Sequence, residues 1–289
     1  MTPQEFAHER RFIETSFGRI AYVRRGQGRA AVFLHGVPLN GYHWRGLLER
    51  LSDLRTCFAF DLLGLGSTEP KDGCDLAFTS QAEMILQALD QLHVQDFDLI
   101  GNDSGGAIAQ LIAVAAPARI FSLVLTNCDV HDNWPPPAFM PAYGLAKAGR
   151  LADAMADMLD NIAFARSDLG LGVAFENPEH ITSDLVRAYI GPLVATPQRR
   201  ALLNGYVTAM DPSQTIAIES QLREVKAPTL VVWGDDDVFF PARWADWLQD
   251  RIPGVTRVVK IPGSRLFFPE ERPEYLSRLV REHWLGGTA

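Results

Sequence analysis

Apolar residues fall in short runs along this chain, separated by stretches whose apolar positions recur every three to four residues. Residues 12–18 and 19–24 alternate around Phe17-Gly18 and predict a hairpin of two strands. AAVFLHG (30–36), RTCFAFDL (55–62), FDLIGN (97–102), FSLVLTN (121–127), TLVVWG (229–234) and TRVVKIPG (256–263) predict further strands. Their continuous apolar character suits strands covered on both faces. Helical periodicity fills 42–51, 79–92, 105–115, about 241–251 and about 271–284. Strands separated by 10–15-residue helices imply βαβ units, a mostly parallel eight-stranded sheet and helices on both faces.

The rhythm breaks after residue 128. DVHDNWPPPAFMP leads into helical patterns such as LAKAGRLADAMADMLDNIAFA, and no convincing strand follows until near residue 213. Residues 129–212 therefore predict a helical cap inserted into a core made of 1–128 and 213–289. Its expected place is over the carboxyl ends of the strands, where open α/β sheets bind ligands.

Composition narrows the class. At 289 residues, 47% hydrophobic and 21% charged, the chain can bury a full-sized core. A net charge of -8 without a basic stripe argues against a nucleic-acid partner. Cys57, Cys74 and Cys128 are odd in number and match no metal or disulfide spacing. The polar start MTPQEFAHERRF holds no apolar signal region, and no apolar run reaches the ~18 residues of a membrane span. The expectations are a cytoplasmic location, no membrane, no metal, no cofactor and a small-molecule substrate. Oligomeric state is not readable.

The chemistry concentrates at LIGNDSGGAIAQ (99–110), a strand running through a sharp turn into a helix. A nucleophile elbow needs small residues two before and two after the nucleophile, because the turn packs strand end against helix start. Asp103 has Gly101 and Gly105 there, whereas Ser104 would have Asn102 and Gly106. The spacing assigns the nucleophile position to Asp103. A carboxylate is already charged at neutral pH, so it attacks an sp³ carbon without a base, and a helix N-terminus favours its charge.

Four motifs resemble the α/β-hydrolase fold, in particular its aspartate-nucleophile branch of haloalkane dehalogenases and epoxide hydrolases. They are HGVP (35–38), DLLGLGSTEP (61–70), GNDSGG (101–106) and WGDDDVFFP (233–241). The resemblance covers nearly all of the chain outside 129–212. It implies that the backbone N–H groups of Val37 and Ser104 are the oxyanion donors and that Asp237 is the acid. It also exposes departures. The family's histidine follows the eighth strand in a segment of the type G-x-x-H-F, where this chain has GSRLFF and Leu266 takes the histidine's place. A dehalogenase holds halide with Asn after HG and Trp after the nucleophile, where this chain has Val37 and Ser104. An epoxide hydrolase uses two cap tyrosines, for which Tyr143, Tyr189 and Tyr206 are the candidates.

His131, just past the sixth strand and flanked by Asp129 and Asp132, is the candidate for a relocated base, with Asp129 to orient it. His35 is expected to support the oxyanion loop. His43, His93 and His180 read as helix-face or loop residues, and Cys128 as an inert buried thiol. Trp134, Phe139, Phe239, Phe240, Phe267 and Phe268 suggest an apolar pocket or, equally, ordinary core; as a pocket, it has Trp134 and Phe240 as substrate contacts. Three functions stay open: a hydrolase of small apolar substrates, a non-hydrolytic enzyme using Asp103 to move protons, and a ligand-binding protein on a disabled hydrolase scaffold. An enzyme is favoured, because a binding site gains little from a charged group in an apolar pocket.

Overall fold

The computed structural model describes residues 1–286. Its sheet contains β1 (Arg10–Thr15), β2 (Gly18–Arg25), β3 (Ala30–Leu34), β4 (Thr56–Phe60), β5 (Glu69–Pro70), β6 (Phe97–Asp103), β7 (Ile120–Cys128), β8 (Thr229–Gly234) and β9 (Val255–Ile261). The order is β1-β2-β4-β3-β6-β7-β8-β9, with the two-residue β5 pairing β2 off this path. The β1–β2 and β2–β4 pairs are antiparallel, and every pair from β4 to β9 is parallel. The eight strands read from the sequence are thus present, and β5 is an addition. Every residue of β3, β4, β6 and β8 is buried, as continuous apolar runs require of strands covered on both faces.

One helix was not expected, Pro3–Glu9. Its start signal is present in the sequence: Thr2 and Glu5 form a capping box with Pro3 at the first helical position. Between β7 and β8 the described chain has no strand. The helices Met140–Lys147, Leu151–Ala156, Ile162–Arg166, Ser183–Val194 and Pro197–Thr208 succeed one another there, and Ser213–Ile216 and Glu219–Leu222 follow. No helix among the described residues is long and apolar enough to cross a membrane.

The topology sets where chemistry can occur. β3, β6, β7 and β8 lie side by side and parallel, so their carboxyl ends share one edge of the sheet. Val37 lies just after β3, Asp103 ends β6, Asp129 follows β7 and Asp237 follows β8.

Candidate active site

Asp103 sits in a backbone conformation that side-chain-bearing residues rarely adopt, φ 56° and ψ -135°, at the junction of β6 and the helix Ser104–Ala115. Strain of this kind costs about 1–3 kcal/mol and persists where the surroundings fix it. The glycines around it show how tightly it is fixed. A Cβ on Gly105 would lie 2.2 Å from the carbonyl oxygen of Leu34, and one on Gly36 would lie 2.2 Å from Asp103 Oδ2. Only hydrogen fits at either place, so the elbow is wedged between the end of β3 and the loop that follows.

The Asp103 carboxyl is buried. Burial pushes its pKa well above the usual carboxylate range, and the nearby Asp237 adds to this. Hydrogen bonds from the backbone N–H groups of Ser104 and Val37 work the other way and favour the ionised form. The same two donors could support charge on the carboxyl oxygen of an ester intermediate. His35 braces the donor loop. Its Nε2 accepts from the Leu62 N–H at 3.2 Å, which leaves Nδ1–H to donate to the Gly36 carbonyl at 2.8 Å. Burial lowers this imidazole to about 4, so it stays neutral. The Ser104 hydroxyl lies 2.8 Å from the Tyr206 hydroxyl.

Asp237 is buried behind this arrangement. Its Oδ2 accepts from the Asn127 amide at 2.7 Å and its Oδ1 from the Phe239 N–H at 2.8 Å. Burial nevertheless raises it to about 7. Asn102, just before the nucleophile position, donates through Nδ2 to Thr126 Oγ1 at 3.0 Å and to the Asn127 and Leu266 carbonyls, each at 3.2 Å. One buried amide therefore ties β6, β7 and the segment bearing Leu266 together.

A cavity of about 400 Å³ opens over Asp103. Val37, Phe240, Leu266 and Phe267 form its wall on the sheet side, and Met155, Phe164 and other helical-segment residues complete it. Among the described residues, Asp103, Asp129 and the exposed Asp168 are the only lining ones with a polar side chain. Leu266 is buried and faces the cavity where the resemblance would place an imidazole.

Two expected site residues lie elsewhere. His131 is not on the cavity wall. It has φ 52°, its Nε2 is 3.1 Å from Glu219 Oε2, and its ring lies 5.2 Å from that of Trp247, on the half-exposed outer side of the turn. It is thus not positioned as a base for Asp103; adjacency to a strand end said nothing about which way this turn sends the ring. Trp134 is core: it stacks on Phe78 at 4.4 Å and donates its indole N–H to Thr215. Among the tyrosines, Tyr206 bonds Ser104, Tyr189 bonds Glu270, and Tyr143 is half-buried; none lines the cavity.

Sequence reasoning missed two features. Asp129 entered only as a support for His131, yet it is buried and lines the same cavity as Asp103. His43 read as a helix-face residue, but it is fully buried, with Nδ1 3.5 Å from Glu270 Oε2. A place just past the strand expected at 121–127 was the available signal for Asp129. Nothing in the local pattern pointed to the partner of His43, which comes from 227 residues away.

Comparison with known proteins gives the family of the fold. The family model described as alpha/beta hydrolase fold matches residues 31–272. Haloalkane dehalogenase 2 of Mycobacterium bovis is 28% identical over 292 residues, covering 98% of this chain and 97% of that protein. Epoxide hydrolase 2 of Caenorhabditis elegans is 24% identical, covering 94% of this chain and 80% of that protein. An alpha/beta hydrolase fold protein from Burkholderia ambifaria superposes with a TM-score of 0.81 at 23% identity, over 93% of this chain and 96% of its own, a likeness of fold. The chain belongs to the alpha/beta hydrolase fold family.

Proposed function

We propose that this hydrolase attacks an electrophilic sp³ carbon of a small apolar substrate with Asp103, forming an alkyl ester on the enzyme. The observation that carries the reading is the placement of the Asp103 carboxyl. It lies under a cavity walled by apolar side chains, with the Ser104 and Val37 N–H groups directed at it. Val37, Phe240 and Leu266 would contact the substrate, and Asp237 would act from behind as a buried carboxyl. The relatives named haloalkane dehalogenase and epoxide hydrolase are consistent with attack on a C–X or C–O bond.

The wall favours a C–O bond. Departing halide is stabilised by hydrogen-bond donors, and among the described residues no lining side chain is a Trp, Asn, Arg, Lys, His, Ser, Thr or Tyr, so alkyl halides should alkylate Asp103 more slowly than epoxides do. An epoxide oxygen stays attached to the product and needs one proton, which a carboxylic acid can provide.

Incubation with a panel of epoxides and alkyl halides, read by intact mass and by peptide mapping, tests the nucleophile. Ester on Asp103, or diol or halide release abolished by Asp103→Asn, is expected. No adduct and no product across the panel would refute it. A second reading has its own support, since burial raises the Asp103 carboxyl and Leu266 supplies no base. In that case Asp103 transfers a proton without ester formation. Turnover with solvent hydrogen exchange into substrate, and no adduct at any time, would identify it.

A further inference from the structure

Asp129 is the one buried carboxyl on the cavity wall that the nucleophile reading leaves without a task. Its residue is 1% exposed, and neither carboxyl oxygen accepts a hydrogen bond from the protein. Its backbone is held at both ends: its N–H donates to the Asp103 carbonyl at 3.4 Å and its carbonyl accepts from the Gln110 amide at 3.0 Å. The backbone is thus anchored and the side chain is not. An unpartnered buried carboxyl is costly, and such groups concentrate at functional sites. Among the described residues, no other buried side chain on the cavity wall besides Asp103 can give or take a proton.

We propose that Asp129 is the acid–base residue of this cavity, protonating the epoxide oxygen as Asp103 opens the ring and then deprotonating the water that cleaves the Asp103 ester. The inference rests on the nucleophile reading above. The two carboxyls differ in the way the two steps need. Asp103 receives two N–H hydrogen bonds that favour its charge, and Asp129 receives none. A proton shared between them therefore resides on Asp129. Burial, then Asp103 and Asp237, push the Asp129 carboxyl well above the ordinary range. The other titratable groups around it are the Cys128 thiol and the Tyr206 phenol, both also raised by burial and both neutral at physiological pH.

The steps balance. In the first, an Asp103 oxygen forms a bond to the epoxide carbon, the C–O bond breaks toward oxygen, and that oxygen takes the Asp129 proton. Asp129 is left as a carboxylate. In the second, Asp129 takes a proton from water, and the hydroxide adds to the ester carbon of Asp103. The acyl–oxygen bond then breaks, and the departing alkoxide takes the proton of the newly formed Asp103 acid. Asp103 is again a carboxylate, Asp129 again an acid, and epoxide plus water has become diol. The imidazole displaced by Leu266 is not needed in either step.

Single-turnover reactions with 1,2-epoxyoctane and with 1-bromooctane, in wild type and Asp129→Asn, separate the possibilities. Bromide leaves without a proton, so only the epoxide reaction needs the acid. Asp129→Asn is expected to slow epoxide opening by about 10²–10⁴-fold. It should still be alkylated on Asp103 by 1-bromooctane within a few-fold of wild type, and that ester should persist. Diol formation at near the wild-type rate overturns the role of Asp129, as does an equal loss of both reactions, which would mark a purely structural effect. If wild type forms no Asp103 ester with either probe and turns neither over, the nucleophile reading itself has failed. Should Asp129→Asn not fold, the wild-type pH profile decides. Epoxide opening should decline as Asp129 ionises while bromooctane alkylation does not, and parallel profiles overturn the proposal.

Discussion

Burial holds the Asp237 carboxyl at about 7, up from 3.8, against the Asn127 and Phe239 donors that favour its charged form. The sign of the consequence follows from proton linkage. Between 3.8 and about 7 the folded chain binds a proton that the unfolded chain has released, so this group's contribution to stability falls as pH rises. Below that window both states are protonated, and above it both are ionised. Stability of wild type relative to Asp237→Asn should therefore decline from about pH 4 to about pH 7 and then level off. Urea denaturation of both proteins across that range measures it, and a pH-independent difference would show that Asp237 titrates normally. Leu266 bears on the same carboxyl environment from the cavity side. Leu266→His should introduce a base at the wall and shorten the lifetime of any Asp103 ester. An ester as persistent as in the parent protein would mean that this wall position cannot serve a base.

The elbow is where element packing and chemistry depend on the same atoms. A Cβ at Gly105 would meet the Leu34 carbonyl at 2.2 Å and the His35 carbonyl at 2.5 Å, both backbone atoms that cannot swing aside. Gly105→Ala must push the helix Ser104–Ala115 away from β3, and overpacking of this kind costs about 1–3 kcal/mol. It should also slow Asp103 alkylation, because the same shift moves the Ser104 and Val37 N–H groups apart. A denaturation midpoint and an alkylation rate both equal to the parent's would refute the close approach. This glycine spacing was legible in the sequence because it reports a backbone constraint, and the buried strands were legible because unbroken apolar runs have few other homes. Side-chain direction was not. His131 follows a strand end as Asp129 does, yet a positive φ turns it toward Glu219 while Asp129 lines the cavity. Trp134 looked like a pocket aromatic because its stacking partner, Phe78, comes from a helix 56 residues earlier.

Across the whole molecule, one buried polar cluster joins three distant parts of the chain. Arg45 begins the helix Arg45–Leu51, Glu270 lies in the helix Phe268–Glu271, and Tyr189 belongs to the helix Ser183–Val194 between β7 and β8. Arg45 meets Glu270 at 2.8 Å, Tyr189 donates its hydroxyl to the same carboxylate, and His43 lies 3.5 Å from it. Burial alone would raise the Glu270 carboxyl, but the Arg45 charge and the His43 ring outweigh it and hold it below the ordinary range. A depressed carboxylate adds stability above its unfolded-state pKa, and this is lost as pH falls through its folded one. Removing one partner of a buried ion pair costs about 3–5 kcal/mol, because the other charge is stranded. Arg45 keeps 23% of its side-chain surface in solvent and can partly rehydrate, which places Glu270→Ala at the lower end. For a chain of this size that is a fall in melting temperature of roughly 5 °C. Tyr189→Phe removes only the hydroxyl and should cost about 1 kcal/mol. The two losses should not add, since after Glu270→Ala the hydroxyl no longer has that partner. A double-mutant cycle should return a coupling of about 0.5–3 kcal/mol. Strict additivity would mean that Tyr189 does not tie its helix to Glu270, leaving that helix attached through its other contacts, among them the Asn40 amide donating to the Ala188 carbonyl at 2.8 Å.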